Sequence, residues 1–139
     1  MSSKKAGRVR FAKANGPRES VLYYFENETE DDSPLHRELE KTKSPGLQKR
    51  INETLLNYLI APAKMRKTKR VKVLRGYGDP AVEGMDELRI NFNNQVIRVY
   101  LVEYPEEVVV FQIVKKKGKA STSVAAERRR DWEQRFPPE

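Results

Sequence analysis

The amino-acid sequence predicts an α+β domain, with an N-terminal strand and a helical hairpin packed on a mostly antiparallel twisted sheet, and a C-terminal helix. Three observations lead to this prediction: apolar residues recur at helical spacing in the first half of the chain, they alternate in the second half, and the chain has 139 residues. Helices segregated from a run of strands are typical of α+β domains. A chain of this length is expected to build one core.

The first half of the chain contains one expected strand and two expected helices. Residues 21–25 are an apolar and aromatic run that fits a buried strand. Ser33-Pro34 and Ser44-Pro45 each combine a helix-capping serine with a proline that suits the first helical position. The second helix is expected over about residues 45–60, before Pro62. Its apolar positions recur at helical spacing, at Leu47, Ile51, Leu55, Tyr58 and Leu59.

The second half changes to the alternating pattern of strands. Four antiparallel strands are expected near residues 71–74, 88–90, 96–101 and 108–114. The last is almost continuously apolar, which indicates a central strand. Asn93-Asn94 and Tyr104-Pro105-Glu106 are expected to form turns between strands. Ser123 is expected to cap a final helix that continues to about Arg135, before Pro137-Pro138.

The charge of the chain indicates an anionic partner. The formal net charge is +8 and the pI is about 9.7, in the range expected of nucleic-acid binders, although an anionic membrane would also satisfy it. The sequence has no apolar run of about 18 residues, so a transmembrane helix is not expected. It also lacks cysteine and an N-terminal apolar stretch. We therefore expect a cytoplasmic protein without disulfides, thiolate metal sites or a secretory signal.

The domain boundary is placed near residue 20. Residues 1–19 are basic and poor in large apolar side chains, so we expect a flexible arm that adds affinity without specificity. Residues 20–136 are expected to form a single domain.

Three strands of this domain resemble a known family. Residues 85–90 contain Glu87-Leu88-Arg89, residues 96–100 contain Arg98-Val99-Tyr100, and residues 109–117 form an apolar strand that ends in lysines. In this order and spacing the segments resemble the HigB-like, phage-associated branch of the RelE toxin superfamily, and the likeness covers roughly residues 20–135. It implies a RelE-like domain and a toxin of a type II toxin–antitoxin system.

The resemblance also implies an activity and partners. Such a toxin is an endoribonuclease that cleaves mRNA, usually at the ribosome, and is held inactive by a cognate antitoxin, here expected to carry a helix-turn-helix domain. Some members of this family carry a catalytic tyrosine or histidine near the terminal segment. No tyrosine or histidine follows Tyr104 here, so the general acid or base would have to be another group. Two alternatives use the same fold without cleavage: a toxin that binds DNA gyrase, and a phage RNA-binding module. No cofactor, metal or membrane partner is expected.

Four cations are the candidate catalytic residues: Arg89, Arg98, Lys116 and Lys117. RNA is cleaved without a metal when the 2′-hydroxyl attacks the adjacent phosphate, and fixed cations stabilise the added negative charge. Alternation places Arg89 and Arg98 on one sheet face, opposite the core-facing Leu88, Ile90, Ile97 and Val99. The lysines at 115–117 are expected to extend towards the same edge, where crowding of like charges would suit one of them to proton transfer. The alternative interpretation is a row of solvated charges.

A second set of cations is expected to bind RNA: Lys67, Lys69, Arg70, Lys72, Arg75, Lys115 and Lys119. The run at residues 64–75 contains no acid, which favours a phosphate-binding track over a merely solvated face. By contrast, Arg128-Arg129-Arg130 is expected to form surface salt links, with Trp132 as the packing anchor of its helix.

A metal-dependent nuclease is the enzymatic rival. Asp79, Glu83, Asp86 and Glu87 crowd the approach to the strand of Arg89, and clustered acids can hold Mg²⁺. An arginine stands where such an enzyme needs a lysine, which disfavours this hypothesis. The single histidine, His36, is expected to be exposed on a helix, and the aromatic residues at 23–25 are expected in the core.

Overall fold

The computed structural model describes residues 19–26, 28, 32–41, 44–76, 78–105, 107–115 and 122–137. The elements are, in chain order, β1 (Glu19–Leu22), α1 (Pro34–Glu40), α2 (Pro45–Ile60), α3 (Pro62–Met65), β2 (Val71–Val73), β3 (Asp86–Phe92), β4 (Gln95–Glu103), β5 (Glu107–Lys115) and α4 (Ser123–Arg135). The α+β prediction is confirmed. Among the described residues, no helix is both long enough and apolar enough to cross a membrane.

The five strands form one sheet in the order β1-β5-β4-β3-β2. β2 to β5 pair antiparallel as a meander, and β1 adds to β5 in parallel. β5 therefore lies inside the sheet, and Val108–Phe111 within it are fully buried. This confirms the central strand that the apolar run predicts.

The sharp turn between β3 and β4 is set by two asparagines. Asn93 and Asn94 have φ values of 49° and 62°. Two consecutive left-handed residues are what a two-residue type I′ hairpin requires, and asparagine tolerates this conformation better than most residues do. The turn fixes the register of β3 against β4, and therefore which side chains face each other across the two strands.

The helix starts follow the sequence signals closely. The Ser33 and Ser44 hydroxyls accept hydrogen bonds from the N–H groups of Leu35 and Leu47, and a proline follows each serine. Pro62 ends α2 as predicted, but it also begins the short α3. The cap of α4 is predicted one residue too late: Thr122 is the N-cap, and its side chain makes no capping hydrogen bond. Because the start of α4 does not depend on a capping side chain, the residue types around it do not mark the first residue of the helix clearly.

The first strand is displaced from its predicted position. β1 is Glu19–Leu22, so it begins at the last residue that the sequence assigns to the arm, and residues 1–18 lie outside the described part of the chain. The chain leaves the sheet after the Tyr23 N–H donates to the carbonyl of Val110 (3.0 Å). Tyr23 and Tyr24 are buried, but the Phe25 side chain is 49% exposed, so its predicted core position is wrong.

Three tyrosine–carboxylate–arginine groups fasten the helices to the rest of the fold. In each group a tyrosine hydroxyl donates to a carboxylate, at 2.5–2.7 Å, and an arginine pairs with the same carboxylate. The groups are Tyr23–Asp131–Arg135, Tyr58–Asp86–Arg66 and Tyr104–Glu133–Arg129. The second lies between α2 and the sheet, and the other two join α4 to the residues that directly follow β1 and β4.

These groups predict a protein that loses stability in alkali. Burial first, and then the hydrogen bond to Asp86, raise the pKa of Tyr58 well above its ordinary value. The unfolded chain releases this proton above about pH 10 and the native state keeps it, so the stabilisation is complete below pH 10 and falls as the pH rises further. We expect Tyr58→Phe to reduce the loss of unfolding free energy between pH 9 and 11 by about 1.4 kcal/mol in total, with most of the difference above pH 10. Urea unfolding between pH 9 and 11 measures this loss; an unchanged loss would contradict the assignment.

Candidate nucleic-acid interface

One face of the sheet packs against α2, and the arginines of β3 and β4 lie on the other face. Leu88 and Ile97 are buried on the face of Asp86, whose carboxylate contacts Tyr58 of α2. Alternation along β3 and β4 therefore places Arg89 and Arg98 on the opposite face. The predicted placement of Arg89 and Arg98 on one face, opposite Leu88, Ile90, Ile97 and Val99, is confirmed.

Three arginines lie side by side on that second face. Arg89 is directly opposite Arg98 in the β3–β4 ladder. The N–H of Arg89 donates to the carbonyl of Arg70 at 2.7 Å, and the adjoining pair is Val71 with Leu88, so Arg70 is the neighbour of Arg89 on the other side. Adjacent strands are about 4.8 Å apart. We call Arg70, Arg89 and Arg98 the arginine row.

The arginine row lines a shallow cleft. Its volume is about 500 Å³, and its walls are formed by Lys69, Arg70, Arg89, Asn91, Val96 and Arg98. The Arg89 side chain is 40% exposed and that of Arg98 is 17% exposed, so both reach solvent. Like charges directly opposite each other destabilise a sheet. A ligand that carries several negative charges would remove this repulsion.

One acid lies beneath the row. Glu87 is 3% exposed, and its carboxylate accepts a hydrogen bond from Nε of Arg89 at 2.8 Å and lies 3.8 Å from Nε of Arg98. It holds two guanidinium groups together and leaves the site with a net positive charge. The sequence assigned Glu87 to a possible metal cluster. The signal for its actual place was the Glu-x-Arg spacing, which puts both side chains on the same face of a strand.

The predicted RNA-binding cations are partly brought together here. Lys67, Lys69, Arg70, Lys72 and Arg75 are all exposed. Lys69 and Arg70 line the cleft, and Lys72 lies opposite Glu87, in the cross-strand row next to the arginines.

Among the lysines at the end of β5, the structure describes Lys115, which does not line the cleft. Lys115 is exposed at the same end of the sheet as Arg98, but it pairs with Ile97, so alternation places its side chain on the face opposite Arg98. Val114, and not a cation, lies opposite Arg98. Lys116, Lys117 and Lys119 lie outside the described residues, and their assigned roles stay predictions.

Arg66 does not belong to the surface track, although it lies within the basic run. Its Nε is 2.8 Å from the Asp86 carboxylate, and its Nη2 is 2.6 Å from Glu103 and 3.0 Å from the Tyr58 hydroxyl. Acids distant in sequence thus neutralise it, a pairing that the local sequence could not reveal.

The four acids of the metal hypothesis do not converge. Asp86 and Glu87 are consecutive in a strand and point to opposite faces. Glu83 accepts the N–H of Gly76, and Asp79 pairs with Arg130 at 2.9 Å. The pKa of Asp79 is lowered, first by the hydrogen bond from the Ala81 N–H and then by Arg130. Over the residues that the structure describes, no cluster of three potential ligands could hold a metal ion.

The arginines of α4 serve the fold. Arg128, Arg129 and Arg130 pair with Glu38, Glu133 and Asp79, so the predicted salt links form, but only the one of Arg130 lies at the surface, because the Arg128 and Arg129 side chains are 13% and 15% exposed. Arg128 also donates to the carbonyl of Phe111 at 2.7 Å, and Glu38 accepts the N–H of Ile113 at 2.8 Å. These two side chains therefore provide hydrogen-bond partners for backbone groups of β5 that lie beyond its pairing with β1. Trp132 is 1% exposed and anchors the helix, as predicted. His36 on α1 is half-buried, not fully exposed as expected.

No protein-family model, curated protein or solved structure matches this chain. Its function is therefore inferred from the geometry of the cleft, together with the strand motifs noted in the sequence.

Proposed function

We propose that this protein is a metal-independent endoribonuclease of the RelE/HigB toxin type, which cleaves mRNA at the ribosome. The observation that carries the proposal is the arginine row: Arg89 and Arg98 on adjacent strands and Arg70 just before β2, on an accessible face, with Glu87 paired to the first two. Planar guanidinium groups bind phosphate oxygens in pairs, and successive phosphates of one strand offer several such sites. The Glu-x-Arg and Arg-Val-Tyr strand motifs support the same class.

The proposed cleavage is a transesterification with two proton transfers. The 2′-oxygen of the substrate attacks the adjacent phosphorus, and its proton passes to the carboxylate of Glu87. Because this carboxylate is 3% exposed and does not line the cleft, the transfer requires the side chains of Arg89 and Arg98 to move aside. Arg89 and Arg98 stabilise the charge that develops on the phosphate oxygens. The bond from phosphorus to the 5′-oxygen then breaks, giving a 2′,3′-cyclic phosphate and a 5′-hydroxyl. In this scheme Lys116 or Lys117 supplies the proton to the leaving oxygen, a role that rests on the sequence resemblance.

The proposed partners follow from the same class. The ribosome would present mRNA to the cleft in the cytoplasm, and Lys67, Lys72 and Arg75 would add contacts to RNA around it. A cognate antitoxin with a helix-turn-helix domain would cover part of this basic face with an acidic or apolar segment.

The proposal is tested by inducing the protein in bacteria and following the incorporation of labelled amino acids and thymidine separately. A prompt fall in amino-acid incorporation with cleaved transcripts, both lost in Arg98→Ala, is expected. An early fall in thymidine incorporation would instead favour a gyrase-binding toxin. Normal growth, with RNA binding in vitro but no cleavage, would favour an RNA-binding module.

Salt dependence tests whether the row binds phosphates directly. Each phosphate contact to a single strand contributes about 0.7 to the slope of log Kd against log salt concentration. We expect Arg70→Ala and Arg89→Ala each to lower the slope by about that amount for a 2′-O-methyl oligonucleotide, which cannot be cleaved. Arg130→Ala is the matched control, because Arg130 is an exposed arginine on α4 that lies outside the cleft and pairs with Asp79. Equal slopes in all variants would argue against phosphate contacts in the cleft.

A further inference from the structure

The segment that brings Arg70 to the arginine row is fastened at its start, behind the sheet. Arg66 follows α3 and pairs with Asp86 and Glu103 on the core-facing side, as described above. Asp86 is 1% exposed, and the Tyr58 hydroxyl also donates to it, at 2.5 Å. The guanidinium of Arg66 therefore has three partners on three elements, α2, β3 and β4. These contacts restrict the conformation of Arg66, the residue at which this segment begins.

A single hydroxyl connects the fastened end to Arg70. The Thr68 hydroxyl donates to the carbonyl of Met65 at 2.7 Å and accepts the N–H of Arg70 at 3.2 Å. The Thr68 N–H also donates to the Met65 carbonyl, at 3.0 Å. The turn from α3 to β2 is thus closed by Thr68, and it directs the next two residues, Lys69 and Arg70, into the cleft.

Stability alone does not require this arrangement at Thr68. Its side chain is exposed, and exposed hydrogen bonds of this kind contribute little to the free energy of unfolding. The Thr68 hydroxyl instead acts locally, because the N–H from which it accepts a hydrogen bond is that of Arg70, a member of the arginine row. Arg66 shares this role from the opposite face of the sheet.

We propose that Arg66 and Thr68 are positioning residues of the phosphate site, which hold Arg70 in line with Arg89 and Arg98. The identity of the ligand as RNA rests on the proposed function, but the positioning requires only that the cleft binds successive phosphate groups. Removing either anchor lets the turn relax and loosens the Arg70 side chain. Arg70 then keeps only the backbone bond from the Arg89 N–H to its carbonyl, while Arg89 and Arg98 stay in place on β3 and β4.

Double-mutant cycles on ligand affinity test this proposal. The probes are a 2′-O-methyl oligonucleotide, followed by fluorescence anisotropy, and inorganic tripolyphosphate, followed by calorimetry. Thr68→Val is expected to weaken binding roughly three- to tenfold in the unsubstituted protein and in Arg98→Ala, and to have no effect in Arg70→Ala. Thr68→Ser, which keeps the hydroxyl, is expected to restore the affinity. Arg66→Lys, which keeps the charge but not the forked geometry, is expected to follow the pattern of Thr68→Val.

The outcomes separate this inference from the proposed function. Losses that are the same in the presence and absence of Arg70, or no loss in Thr68→Val, would overturn the positioning role. Binding of tripolyphosphate but not of the oligonucleotide would overturn the RNA assignment, while coupling between Thr68 and Arg70 on tripolyphosphate would still support the positioning role. If the unsubstituted protein binds neither probe, both the phosphate site and its positioning residues are rejected.

Discussion

Replacement of Arg98 by alanine is expected to lower the rate of RNA cleavage by about 10²–10³-fold, the usual cost of removing one fixed group that stabilises transition-state charge. The side chain sits between Arg89 and Val114 in the cross-strand row, and Glu87 lies beneath it. On the β5 side its cross-strand neighbour is Val114, so β5 supplies no second guanidinium at this position. The rate is measured on a short labelled RNA under single-turnover conditions, in the presence of a chelator.

Two variants sharpen this result. Arg98→Lys retains the charge but not the planar fork, so it is expected to recover only part of the rate. Arg130→Ala removes a cation from α4, outside the cleft, and is expected to cleave at the unsubstituted rate. If Arg98→Ala cleaves as fast as the unsubstituted protein, the row is not the site of cleavage, whatever its affinity for RNA. Loss of cleavage in Arg130→Ala as well would point to a general effect of charge.

The arginine pair could be predicted from sequence because strand alternation and hairpin register are local properties. Asn93-Asn94 determines how β3 and β4 meet, and the apolar residues around Arg89 and Arg98 determine which face each arginine occupies. The sequence placed Arg70 only in a general basic track. It joins the row because β2 pairs with β3, and that register depends on a connection of a dozen residues with no regular pattern.

Other features were hidden because they depend on residues distant in sequence. Arg66 looked like one more surface cation until the fold brought Asp86 and Glu103 to it. The aromatic run at residues 21–25 predicts a strand, but the chain leaves the sheet at Tyr23, so Phe25 faces solvent. Neither ion pairing nor the exit point of a strand is encoded in short-range periodicity, whereas helix caps and tight turns are.

The position of Glu87 leads to a prediction in which binding and catalysis change in opposite directions. Glu87→Gln removes the negative charge beneath Arg89 and Arg98 and keeps the size of the side chain, so the affinity for a 2′-O-methyl oligonucleotide is expected to rise. If the carboxylate accepts the proton of the attacking 2′-hydroxyl, cleavage should fall by about 10²–10⁴-fold in the same variant.

A carboxylate that only separates the two arginines would give a different result. Tighter substrate binding would then accompany a cleavage rate close to that of the unsubstituted protein, because the amide still accepts a hydrogen bond from Nε of Arg89. Urea unfolding of Glu87→Gln serves as the control for folding, since closely placed guanidinium groups repel once the acid is gone. A folded variant that binds more tightly and cleaves far more slowly would identify Glu87 as the general base, and it would explain how a chain without a terminal tyrosine or histidine can cleave RNA.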